Sequence, residues 1–267
     1  KVIPENAARV AALLAGEVDI IMQLPPHLMK RVEDNPNTNV LPVKGTRTWY
    51  IAMNNNKKPF DDVRVRRAAN HALNKKLIID KVLNGLAVPL KGVVSSQSDF
   101  HNPNLPEYAY DPEKAKKLLA EAGYAGGIDA TLDAGGPEKE LAEAVASQLT
   151  KVGIRTKVQI WETAVISKIW RVGFKHVDRV KHDMWMSNWG NLSLDPVGLL
   201  QPTMRTMGRG NASGYSNAEV DKQIDAAAVS ADKNKRIELY RKAQATVTDA
   251  APWLFLWVTK DVYGGTA

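Results

Sequence analysis

His182-Asp-Met-Trp-Met-Ser-Asn-Trp-Gly-Asn-Leu-Ser-Leu-Asp-Pro196 is the stretch on which the fold turns. An apolar run with two tryptophans stops at Gly190 and Asn191, and Asp195-Pro196 then has the form of a helix start. The pattern predicts a buried strand over 183–189 that delivers aromatic side chains to an open edge. Upstream the periodicity alternates: a strand over 128–133, a helix over 137–152, a strand over 154–160 and a helix over 162–174. A β-α-β-α-β order predicts a parallel sheet with right-handed crossovers. In open sheets of that kind ligands lie beyond the carboxyl ends of the strands. The residues around Trp189 are therefore the first candidates for a binding site.

Outward from this core the signals are local. Ala7, Val10, Ala11 and Leu14 recur at helical spacing before Gly16, and a short strand is expected over 18–22. Pro25-Pro26 opens a second helix that ends near Asn35-Pro36, followed by strands over 40–43 and 48–53. Asn54-Asn-Asn56 and Pro59 break the pattern, and one long amphipathic helix is expected over 62–84. A Pro- and Ser-rich loop covers 85–110. Asp111 and Pro112 read as the N-cap and first position of a helix that Gly123 stops. Two helices, over 217–229 and 232–248, precede a last apolar strand over 253–258.

Composition narrows the function classes. The chain has 267 residues, 44% of them apolar and 24% charged, which suits one large domain or two small ones. There is no cysteine, so disulfides, thiolate metal sites and thiol catalysis are ruled out. No apolar run is long enough to span a membrane. Lys1-Val-Ile-Pro-Glu5 lacks the apolar core of a signal peptide, and the chain reads as a fragment or a processed form. The net charge of +7 comes from basic residues intermixed with acids, a solvated surface rather than a nucleic-acid footprint. The histidines at 27, 71, 101, 176 and 182 show no ligand spacing, so no metal is expected. Asp133-Ala-Gly-Gly-Pro137 joins a strand to a helix; it is most simply a tight turn, and the alternative is a phosphate site in a nucleotide- or phosphate-using enzyme. Of the seven tryptophans, Trp185, Trp253 and Trp257 take a core reading. Trp161 and Trp189 each close a strand, and on neighbouring parallel strands they would line one side of a cleft.

Several segments in order resemble one family. They are Ala8-Arg-Val-Ala-Ala-Leu-Leu-Ala-Gly-Glu-Val-Asp19, Tyr50-Ile-Ala-Met-Asn54 with Pro59-Phe-Asp-Asp-Val-Arg-Val-Arg-Arg-Ala-Ala69, and Tyr110-Asp-Pro-Glu-Lys-Ala-Lys-Lys-Leu-Leu-Ala-Glu-Ala-Gly123. Gly214-Tyr-Ser-Asn-Ala-Glu-Val-Asp221 and the helix through Arg236 to Ala245 complete the set. Together they resemble the bacterial extracellular solute-binding proteins of the oligopeptide, dipeptide and nickel class. The resemblance implies an α/β, periplasmic-binding-protein-like (class II) lobe with a parallel-rich sheet flanked by helices, plus partial strands of a first lobe. Residues 1–59 would be part of the first lobe and its crossing strands, 60–250 the second, ligand-clamping lobe, and 251–267 a returning crossing strand. The N-terminal half of the full-length protein would be missing.

The function implied is capture of a peptide or peptide-like solute for an ABC importer's permease, without catalysis or cofactor. The protein would work as a monomer in the periplasm or lipid-anchored at the outer face of the membrane, and would bind no nucleic acid. Trp189 matches the family's strand-end tryptophan and Trp161 resembles a second pocket aromatic. Many peptide binders of the family carry an Asp three residues after the strand-end Trp, paired with the peptide's α-ammonium; here that residue is Leu192. Asp195 matches a different family Asp, expected to cap the next helix. Asn188 and Asn191 are expected to offer amides, Gly190 its backbone, and Lys168 a charge for an anionic group. Arg205 and Arg209 have the same potential, although an exposed basic loop is the simpler reading of both. Hinges are expected near residues 54–59 and 250–253.

Overall fold

The computed structural model describes residues 1–162, 164–166 and 182–267. In chain order, α1 (Asn6–Leu14), β1 (Ile20–Ile21), α2 (Pro26–Glu33) and β2 (Thr38–Met53) come first. α3 (Val63–His71), α4 (Lys75–Lys81), β3 (Ala87–Pro89) and α5 (Pro112–Glu121) follow. β4 (Ile128–Gly135), a 3-10 turn (Gly136–Glu138), α6 (Lys139–Lys151), β5 (Ile154–Trp161) and β6 (Met184–Gly190) form the alternating part. α7 (Val197–Thr203), α8 (Ala218–Val229), α9 (Lys233–Ala250) and β7 (Trp253–Thr266) end the chain.

The helix starts follow their local chemistry. Asp111 accepts from the Lys114 amide at 2.9 Å, and Pro112 occupies a first-turn position that needs no N–H. Asn217 and Asp232 cap α8 and α9 in the same way. Gly123 ends α5 with φ +91°, a conformation that favours glycine.

Three expectations needed tertiary information and change. The helix expected over 62–84 is two helices. Asn74 accepts from the Leu77 amide at 2.9 Å and so starts a new helix, while its own N–H donates to Gln148 of α6 at 2.6 Å. The strands expected at 40–43 and 48–53 are one strand, β2, with a register irregularity against β7 between Lys44 and Thr48. Gly45 makes this possible, because a Cβ there would collide with the Thr259 carbonyl. The last strand does not stop at 258 but continues to Thr266.

The sheet order is β1-β7-β2-β6-β4-β5, with β3 also on β7. β4 is parallel to both β5 and β6, as the alternation predicts; the remaining pairs are antiparallel. One apolar core lies on the face covered by α3 to α6, and includes Ile51, Leu132, Met184 and Trp257. A second lies on the face covered by α7 to α9, around Tyr50, Tyr240, Trp253 and Phe255. A third, smaller core sits under α1 and α2 around Val10, Leu13 and Val32. Trp253 and Trp257 are fully buried as expected, whereas Trp185 is half-buried against the second core. The two expected hinge segments lie side by side: the Met53 amide donates to Pro252 O at 3.2 Å, and Asn55 Nδ2 donates to the same oxygen at 3.5 Å. Among the described residues no helix is long and apolar enough to cross a membrane.

Candidate functional site

The strand order corrects one expectation about the site. β5 and β6 are not neighbours; β4 runs between them. The connection from β4 leads to β5 on one side, and the chain returns to β6 on the other, which makes the carboxyl end of β4 a topological switch point. Pairing of Asp133 with Trp185 and of Gly135 with Trp161 places Asp133, Trp161, Trp185 and Trp189 on one face. Trp161 and Trp189 are therefore on the same side of the sheet, two strands or roughly 10 Å apart. Asn188 pairs with Trp49, which packs against the first core, so Asn188 projects from the opposite face.

Trp189 is half-buried at the strand end. Its Nε1–H donates to Gly198 O at 2.8 Å, which satisfies the indole and fixes the ring plane. The Arg209 guanidinium lies over the ring, 4.8 Å from its centroid. Gly210 packs so closely that an added Cβ would collide with the ring, coming within 2.8 Å of Cη2. Gly210→Ala is therefore expected to displace Trp189 and to cost about 1–3 kcal/mol through overpacking. A urea titration measures the loss, and an unchanged midpoint would show that the ring is not confined.

The turn after β6 is built by its own side chains. Asn191 is buried, its Nδ2 donates to Asp195 O at 3.0 Å, and its Oδ1 accepts from Ser193 Oγ at 3.3 Å. Both ends of the amide expected to meet a solute are thus used inside the turn. Asp195 caps α7 through the Val197 amide at 3.0 Å, as expected, and its other oxygen pairs with Arg236. Leu192 is 91% exposed at the tip. Asn188 Oδ1 accepts from Arg47 Nη1 at 2.6 Å, and the same guanidinium lies against Gly190. Lys168 lies outside the described residues.

Trp161 is held by a group the sequence did not mark as part of the site. Asp133 is fully buried; its Oδ1 accepts from Trp161 Nε1 at 3.0 Å and lies 3.1 Å from His182 Nδ1. The His182 ring meets Trp161 edge to face. Burial pushes the Asp133 carboxyl above the usual range, against the pull of Trp161 N–H and His182. A strand-borne Asp gives no sequence signal for this, because the contact joins three separate segments. The same carboxyl weakens the phosphate reading of the 133–137 turn. Glu138 Oε2 also sits there, 2.5 Å from where a Gly135 Cβ would lie, so a phosphate at the turn would meet two acidic side chains.

Beside Trp189, between α7 and the 204–210 loop, is an open depression of about 470 Å³ with Gly198, Gln201, Arg205 and Arg209 on its walls. Arg205 is bound bidentately to Asp225 at 2.8 and 2.9 Å. His71 and His101 are tied to the carbonyls of Ala109 and Val94. Among the described residues no group of three or more His, Asp or Glu is arranged to hold a metal ion.

The family model described as "Bacterial extracellular solute-binding proteins, family 5 Middle" matches residues 1–211. Heme-binding protein A of Haemophilus influenzae is 32% identical over 262 residues, covering 95% of this chain and 47% of that protein. The dipeptide-binding protein of Escherichia coli is 30% identical over 263 residues, covering 95% of this chain and 48% of that protein. Among solved structures, the ABC transporter-associated periplasmic binding protein DppA from Helicobacter pylori, in complex with peptide STSA, matches with a TM-score of 0.86 and 26% identity. That match covers 100% of this chain and 52% of the other. The chain thus spans about half the length of the curated relatives it matches. With the α/β fold of periplasmic peptide-binding proteins and most of its length matched by the family model, the chain belongs to the bacterial extracellular solute-binding proteins, family 5.

Proposed function

We propose that this chain is the second, ligand-clamping lobe of an ABC importer's substrate-binding component, together with pieces of the first lobe. It captures a peptide or peptide-like solute in a cleft between two lobes and passes it to the membrane permease, working as a monomer in the periplasm or lipid-anchored at the outer face of the cell membrane. The observation that carries this reading is Trp189: an aromatic ring fixed at the carboxyl end of β6, half-exposed beside an open depression. Trp189, Gly190 and Leu192 form the contact edge, Trp161 extends it across β4, and Asn188 with Arg47 supplies polar contacts from the other face. Asn191 acts indirectly by shaping the turn.

Residues 60–250 form the clamping lobe in this reading, and 1–59 and 251–267 belong to the first lobe and the strands crossing to it. The paths of β2 and β7 support that division. The inner halves of both strands pair with each other and β2 there also pairs with β6, whereas the outer halves, 38–44 and 260–266, extend beyond β6 and carry the third core. Closure would pivot where Met53 meets Pro252.

The test is identification of co-purified solute by mass spectrometry, followed by thermal shift of wild type and Trp189→Ala. A solute at one hundred times its Kd stabilises by about 2.7 kcal/mol, a shift on the order of 5–10 °C for a domain of this size. Trp189→Ala is expected to lose most of that shift. Equal shifts in both proteins would place the site elsewhere.

A further inference from the structure

We infer that the solute carries an oxyanion and that Arg209, laid over Trp189, receives it. This rests on the binding reading above and names the chemistry of its ligand. Two other arginines near the site are neutralised: Arg205 is held by Asp225 and Arg236 by Asp195. Arg209 is different. Among the described residues it has no carboxylate partner and no hydrogen bond; its one contact of note is the face of Trp189, 4.8 Å from the ring centroid.

The cation–π contact holds the guanidinium beside the ring face, and its N–H donors have no hydrogen-bond partner among the described residues. A planar fork with unused donors is the geometry that takes a carboxylate or phosphate bidentately. The fork stands on the wall of the 470 Å³ depression, which no acidic side chain lines. The one nearby cation that shares this wall, Arg205, is already neutralised by Asp225. Across the strand end, Arg47 has Asn188 as its polar partner and likewise no carboxylate among the described residues. The end of β6 at Gly190 is therefore flanked by uncompensated positive charge on both faces of the sheet. An anionic group entering there is attracted, and an ammonium is repelled.

The test uses the indole Nε1–H resonances of the 15N-labelled chain, with Trp189 assigned through Trp189→Phe. The probes are N-acetyl-phenylalanine, its uncharged amide, and phenyl phosphate. The acid or the phenyl phosphate is expected to move the Trp189 resonance saturably, with the amide at least tenfold weaker; the tighter of the two anions identifies carboxylate or phosphate as the group recognised. Arg209→Gln is expected to remove the preference over the amide, and Arg209→Lys, which keeps the charge without the fork, to retain part of it. Unmoved indole resonances elsewhere show that the variants remain folded. Equal binding of acid, phosphate and amide to the wild type overturns the inference and leaves the binding reading standing. A preference that survives in Arg209→Gln removes Arg209 from the role. If no probe moves Trp189, both readings fall.

Discussion

Trp253→Ala is expected to lower the stability of the folded chain by about 4 kcal/mol, among the largest losses available to a single substitution. Trp253 is 1% exposed at the start of β7 and lies flat on Tyr50 of β2, with ring centroids 3.5 Å apart and planes inclined by 4°. Truncating a buried aromatic removes its transfer free energy and leaves a cavity, about 3–5 kcal/mol together. The stacked pair adds roughly 1 kcal/mol beyond area burial. The backbone at this point has little freedom to collapse into the space. Asn70, itself buried, donates to Trp253 O at 2.9 Å and accepts from the Phe255 amide at 3.2 Å, clamping the strand from α3. Urea unfolding checks the prediction: the midpoint should fall with the slope unchanged. A loss under about 1.5 kcal/mol would show that the second core is loosely packed. Trp253→Phe, which keeps a ring on Tyr50, should lose clearly less.

The second large effect is a pH dependence carried by Lys75. Its Nζ is buried and donates to Leu90 O at 2.6 Å. Burial lowers its pKa from 10.5 to about 8, with Glu107 pulling the other way. In the unfolded chain the same group titrates near 10.4. Between these values the unfolded chain holds a proton that the folded chain has released, so stability rises with pH from about 8 toward 10. Below pH 8 the buried ammonium destabilises the fold in full, by about 3 kcal/mol. Above pH 10 the trend reverses, because burial pushes Tyr108 and Tyr215 up to about 12, and their ionisation then favours the unfolded chain. Lys75→Met should abolish the rise between pH 8 and 10. It should also stabilise the protein at pH 7 by about 1–2 kcal/mol, the remainder being offset by the unpaired Leu90 carbonyl. Unfolding curves at pH 7, 8, 9 and 9.5 for both proteins decide it; parallel pH slopes would rule out Lys75 as the source.

Much of the fold was legible in the sequence, because its signals are local. Asp111-Pro112, Asn217 and Asp232 announce helices through caps that need only the next few amides. The β-α-β-α-β alternation from 128 to 189 foretold the parallel pairs of β4. The apolar period across 62–84 misled, because Ala72, Leu73 and Ile78 are buried whether or not the helix is continuous. What breaks it is a side chain of α6, Gln148, more than seventy residues away. Gly45 falls between the two expected strands, and its close approach to the Thr259 carbonyl is what lets a single strand run through.

Of the candidate site, the sequence marked the strand end proposed for binding, with Leu192 standing where the family resemblance would place a peptide-anchoring carboxylate. A run of apolar residues that ends in Gly and Asn marks a strand terminus wherever the chain folds. Tertiary structure alone decided which side chains meet there. It placed β4 between the two tryptophans, turned Asn188 to the far face, spent Asn191 inside its own turn, and laid Arg209 over Trp189. Strand order and facing depend on pairings between segments distant in the chain. A cation's freedom depends on whether some remote carboxylate reaches it, as Asp225 reaches Arg205 and none of the described acids reaches Arg209.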